Sequence, residues 1–198
     1  MRFTRPLLLL ALLAVPAALV AQTQVSPGYA FLEAVKKTNG GEVTKLLDAP
    51  GQIVNTRDRS SGETALHIVT REKNENWLTF LLYKGGNPNI GDRNGDTPLM
   101  LAVMLDFPAG VDRLLAKGAR VDEANNKGET PLIRAVQLRR PGLVRQLMTA
   151  GADPTRSDSV AGLSARDYAL RDGRNSELVE ILAQAKPAGA KPVFGPNM

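Results

Sequence analysis

No cysteine occurs among the 198 residues. That absence rules out disulfides, thiolate metal sites and a lipid anchor on an N-terminal cysteine. A chain without thiols also suits an oxidising compartment, where nothing in it can mispair. Histidine is nearly as scarce: His67 stands alone, so no two imidazoles can share a metal. Long apolar runs are lacking too. The longest, Leu7 to Val20, contains Pro16 and falls short of the roughly 20 residues that a membrane span requires. Nor does charge of one sign dominate, since 25 Lys+Arg face 20 Asp+Glu for a net +5. The basic residues are scattered, which argues against a nucleic-acid partner.

What the N-terminus does contain reads as a secretory signal over residues 1–21. Arg2 and Arg5 form the basic region, the apolar run follows, and Ala21 precedes polar Gln22 and Thr23. Cleavage is expected after Ala21, leaving 23 cations against 20 anions and a mild +3. A retained N-terminal anchor is the alternative, weakened by the shortness of the run. With 43% hydrophobic residues the remainder has ample material for a buried core and is not a disordered chain.

The chain matches itself at a step of 33 residues. Gly62, Gly95 and Gly128 keep that step, as do Thr64, Thr97 and Thr130, and Leu66, Leu99 and Leu132. The pairs Leu81-Leu82, Leu114-Leu115 and Leu147-Met148 repeat it, and so do Gly85, Gly118 and Gly151. Five columns in one register mark a repeat architecture.

Each column has a physical reason. In Gly95-Asp96-Thr97-Pro98-Leu99 the glycine can take a positive φ, the threonine can cap a helix, and the proline fits the first helical position. Gly128-Glu129-Thr130-Pro131-Leu132 repeats this helix start, and Gly62-Glu63-Thr64-Ala65-Leu66 differs only in its alanine. A short helix to about Leu105 or Leu138 follows, with Leu99, Ala102 and Val103 on one face. A second helix is predicted from Pro108 or Pro141, carrying Val111, Leu114 and Leu115 inward and ending at Gly118 or Gly151 in a left-handed turn. One such unit cannot bury its apolar face alone, so neighbours must stack.

The segments Thr64-Ala65-Leu66-His67, Thr97-Pro98-Leu99 and Thr130-Pro131-Leu132, with the 33-residue period, resemble the ankyrin repeat family. The resemblance implies an all-α, ankyrin-repeat solenoid of stacked helix-turn-helix units with short β-turn fingers. The expected plan is a signal peptide at 1–21, a linker at 22–28, a repeat domain at 29–185 and a disordered tail at 186–198. Within the domain, central repeats are placed at 59–91, 92–124 and 125–157. The capping units are an N-terminal one at 29–57, lacking the opening motif, and a C-terminal one at 158–185 with Ser164-Ala165-Arg166 in its place. The family's glycine between the two helices is replaced by Asp106 and Arg139, though Gly173 retains it, so those turns are expected to be altered locally.

No catalytic, cofactor or metal site is expected. By resemblance His67 is structural, bonding near the threonine at the helix start, and no Ser–His–Asp set can be built around it. Asp92, Asn94 and Asp96 look faintly like a calcium loop, but the later bidentate glutamate is missing and Pro98 opens a helix there.

The resemblance implies a protein partner, bound by the finger tips and the exposed side of the first helices along a concave groove. Finger-tip candidates are Arg59, Arg93, Asn94, Asn126 and Lys127. Those on the helices are Arg71 with Glu72, Met104 with Leu105, and Gln137 with Leu138. Exposed apolar neighbours mark contact sites, but packing between helices is the competing reading for Met104, Leu105 and Leu138. Trp77 and Tyr83 on an outer helix, and the pair Arg139-Arg140, have the same two readings: packing or solvation against contact. The protein is expected to be an exported, bacterial, monomeric binding module, periplasmic or secreted, with no nucleic-acid partner and no membrane insertion after signal removal. The alternatives are a small enzyme or metabolite-binding protein on a repeat scaffold, and a secreted effector or toxin-neutralising protein.

Overall fold

The computed structural model describes residues 26–51, 53–173 and 176–184. The expected signal at 1–21, the start of the expected linker and the expected tail at 186–198 lie outside the described residues. Helices run in pairs along the described chain: α1 (Pro27–Lys36) with α2 (Gly40–Asp48), α3 (Ala65–Arg71) with α4 (Glu75–Tyr83), and α5 (Pro98–Met104) with α6 (Pro108–Ala116). The series continues with α7 (Pro131–Gln137) and α8 (Pro141–Thr149), then α9 (Ala165–Asp172) and α10 (Ser176–Ala183). Odd-numbered helices pack in an inner row from α1 to α9, with even-numbered ones behind them. Among the described residues the only β pairing is an isolated bridge between Ser157 and Ser164.

The inner helices start as the threonine column predicts. Thr97 and Thr130 accept the N–H groups of Met100 and Ile133, and proline follows each. Ser164 caps α9 in the same way, completed by Asp167 reaching back to the Ser164 N–H. The N-terminal unit has an opening motif after all. Ser26 accepts from the Tyr29 N–H and Pro27 opens α1, two residues ahead of the expected start. This pair stands 38 residues before Thr64 rather than 33, because α1 has 10 residues where α3 has 7 and the connection beyond α2 is longer.

The turns between helices are not altered where glycine is missing. Thr38, Lys73, Asp106 and Arg139 all take φ between 50° and 54°, beside 59° at Gly173. Each closes its helix with one double bond pattern: Asp106 N–H to the Val103 carbonyl and Phe107 N–H to Ala102, repeated at Lys73-Asn74 and Arg139-Arg140. The angle explains the tolerance. A φ near 50° lies in the left-handed basin that side chains can enter, at about 1–2 kcal/mol, whereas Gly85, Gly118 and Gly151 sit at 82° to 91°, beyond it. Charged side chains at the tolerant sites link repeats: Lys73 Nζ donates to the Asp106 carbonyl, Arg140 pairs with Asp106, and Arg139 with Asp172.

A column unseen in the sequence clamps the first four units together, one clamp at each of their three junctions. The Asn55 side chain donates to the Gly85 carbonyl and accepts the Asn87 N–H, and Asn89 treats Gly118 and Arg120 in the same way. Asp122 occupies the third place and accepts the Asp153 N–H. Behind these clamps Leu66, Leu99 and Leu132 are buried in one continuous core with Leu81, Leu114 and Leu147.

Candidate binding face

The fingers are built by a second column that sequence comparison passes over: Asp58, Asp92, Asn125 and Asp158. Asp92 Oδ1 accepts the N–H groups of Asn94 and Asp96, and Asn125 Oδ1 those of Lys127 and Glu129. Asp58 receives the Ser60 hydroxyl and the N–H groups of Ser61 and Ser60, and these bonds hold its carboxyl well below the usual carboxylate range. The first and last fingers carry one extra residue, and the column mixes Asp with Asn, so a strict self-alignment misses it.

Successive fingers are joined through their backbones: Arg93 N–H to the Ser61 carbonyl, Asn126 to Asn94, and Ser159 to Lys127. This joint explains the glycine column beyond its positive φ. A Cβ on Gly95 would stand 2.8 Å from the Asn126 nitrogen, and one on Gly128 2.6 Å from that of Ser159.

The finger-tip candidates Arg59, Arg93, Asn94, Asn126 and Lys127 are all exposed. Two of them also hold the fingers together, for the Arg93 guanidinium donates to the Arg59 carbonyl and the Asn126 amide to the Arg93 carbonyl. On the inner helices Arg71 is exposed and paired with Glu63. Met104 and Leu138 are exposed at 38% and 37%. Leu105, expected beside them, is half-buried at the C-cap of α5, where the chain turns towards α6. Glu72 is exposed, and Gln137 is half-buried with its side-chain oxygen bonded to Arg134. Behind the face, Trp77 is half-buried edge-on to Phe80, centroids 5.6 Å apart, and Tyr83 is 80% exposed. Arg139 and Arg140 form the inter-repeat ion pairs described above.

His67 is buried at the base of this face. Its Nε2–H donates to the Asp96 carbonyl of the next finger at 2.9 Å, leaving Nδ1 to accept from the Thr64 N–H at 3.1 Å and to bond the Thr64 hydroxyl. Only the neutral ring satisfies both sides, because a proton on Nδ1 would meet the Thr64 N–H. Burial lowers its pKa from the usual 6.5, against the opposing pull of the Asp96 carbonyl. Asp92, a member of the loop set aside as a calcium site, spends one oxygen on its own turn. Among the described residues no cluster of His, Asp or Glu has metal-binding geometry, and no helix is long and apolar enough to cross a membrane.

The family model for ankyrin repeats matches residues 31–123 and 74–158, which together span well over half of the chain. An ankyrin repeat protein of Fowlpox virus (strain NVSL) is 36% identical over 74 residues, covering 37% of this chain and 21% of that protein. Another, from Acanthamoeba polyphaga mimivirus, is 33% identical over 88 residues, covering 44% of this chain and 12% of that protein. A second Fowlpox protein of the same description is 33% identical over 75 residues, 38% of this chain and 39% of its own length. The chain therefore spans less than two-fifths of these relatives, which are viral and lend no support to the expected bacterial source or export. Period, capped helix pairs, joined fingers and family match agree: this chain belongs to the ankyrin repeat family, whose repeats are protein-interaction modules.

Proposed function

We propose that this protein is an exported binding module that holds a protein partner against the concave face formed by its fingers and inner helices. The observation that carries this reading is the pair Met104 and Leu138, two large apolar side chains left open at the C-terminal ends of adjacent inner helices while the leucines behind them are buried. Isolated exposed apolar groups need no explanation, but two on neighbouring repeats of a polar face make an anchor for a partner. Binding rather than catalysis is supported by His67, whose two ring nitrogens are both engaged in the fold. Export, to the periplasm or the exterior, rests on the leader ending at Ala21.

The test is affinity capture with the chain tagged at its C-terminus. Met104→Asp or Leu138→Asp is expected to weaken capture by about tenfold or more, the range of an interface anchor, with thermal unfolding nearly unchanged. Equal loss of folding and capture would identify the two residues as core and remove the argument. The N-terminus of the recovered chain reads out export, which predicts Gln22 as the first residue.

A further inference from the structure

On the binding face proposed above, we infer that the partner offers an extended acidic segment with an apolar side chain at its middle, laid along the finger tips. All ionic side chains at the tips are cations: Arg59, Arg93 and Lys127, exposed on three successive fingers. The acids of the same fingers stand at the turn ends and are engaged there. Asp58 and Asp92 accept N–H groups of their own turns, Glu63 and Glu129 pair with Arg71 and Arg134, and Asp96 accepts the Asn125 amide. Positive charge thus points outward while negative charge is held back towards the helices.

The floor behind the tips changes character at one repeat. Met104 stands where Arg71 does one repeat earlier and Gln137 one repeat later, and Leu138, next to Gln137, is a second exposed apolar side chain. A cavity of about 250 Å³ opens against Met104, its border including Asn94, Asn126, Lys127 and Arg134 and the two acids Asp96 and Glu129, which are already bonded to Asn125 and Arg134. An apolar side chain fits beside Met104, with carboxylates on either side meeting Lys127 and Arg93. The segment is extended because the three cations follow one another along the stack, and a strand-like chain meets them in turn. Such charge matching governs encounter and specificity, and it weakens with salt. A nucleic acid suits this surface less well, since the tips carry no aromatic side chain for base stacking and two acids, Asp96 and Glu129, border the cavity behind them.

The full chain is titrated with three synthetic peptides of about 13 residues, long enough to span several repeats in extended form. One has a central Leu flanked by Glu, the second the same Leu flanked by Lys, and the third the Glu flanks around a central Gly. An oligothymidine serves as a fourth probe. The Glu–Leu peptide is expected to bind about tenfold more tightly than either other peptide, and to weaken as salt rises from about 20 to 300 mM. Arg93→Glu with Lys127→Glu should reverse the preference between Glu and Lys flanks. Met104→Gln should abolish the advantage of Leu over Gly. Equal affinity for both flanks, a charge-reversed variant with unchanged preference, no measurable peptide binding, or tighter binding of oligothymidine would each overturn the inference. If a captured partner depends on Met104 and Leu138 but is indifferent to Arg93 and Lys127, the binding face survives and the acidic segment falls.

Discussion

At the scale of single residues, His67 couples the fold to pH. The unfolded chain takes up a proton near 6.5, while the buried ring in the folded protein does so only at lower pH. Its contribution is therefore complete above 6.5 and shrinks as pH falls through that value, by at most about 1.4 kcal/mol per unit. Urea unfolding between pH 8 and 5 should show stability flat at first and then declining. His67→Gln should be less stable at pH 8, having lost the bonds to Thr64 and Asp96, yet lack that decline. An unchanged slope in the variant would mean that other groups titrate there. The resemblance pointed to His67 bonding near Thr64. Its reach into the next finger, to the Asp96 carbonyl, is a tertiary fact that no spacing rule carries.

Whole elements obey the same economy of backbone groups. Asn55 and Asn89 each satisfy one carbonyl and one N–H of the neighbouring repeat, but Asp122 has no donor to offer the Gly151 carbonyl in the equivalent place. Asp122→Asn is expected to complete the third clamp and stabilise the protein by about 1 kcal/mol, the usual net value of one such bond. Asn89→Asp should destabilise by a similar amount. Both are readable as shifts of the urea midpoint at constant slope. A loss of stability in Asp122→Asn would show that the carboxylate is held by something other than the clamp geometry. The helix starts and stops were legible from Thr, Pro and Gly, whose conformational preferences are local. The Asn and Asp clamps were not, because either residue serves and the spacing slips from 34 to 33 residues between them.

Over the whole molecule, stability is distributed, since each repeat packs only on its neighbours. Leu99 is fully buried at the centre of the array. Leu99→Ala should cost on the order of 2–5 kcal/mol, a large share of the margin of a small protein. Hydrogen exchange should show the loosening concentrated in α3 to α8. A cost below about 1 kcal/mol would contradict its burial. The same linearity sets the binding face, because equivalent side chains fall in rows along the stack and a change at one repeat, such as Met104 after Arg71, alters one place in the row.

The sequence by itself determined the repeat, its period, the capped helix pairs and the family resemblance, because those depend on backbone preferences and apolar spacing that act within one unit. It also named the rows from which a binding face is drawn. Only the tertiary structure decided which members of those rows stay open. Met104 and Leu138 face outward while the adjacent Leu105 is half-covered, and Arg93 and Asn126 join one finger to the next as well as facing solvent. Exposure and cross-repeat bonding arise from how one unit seats on another, and residues 33 apart record that seating only in space.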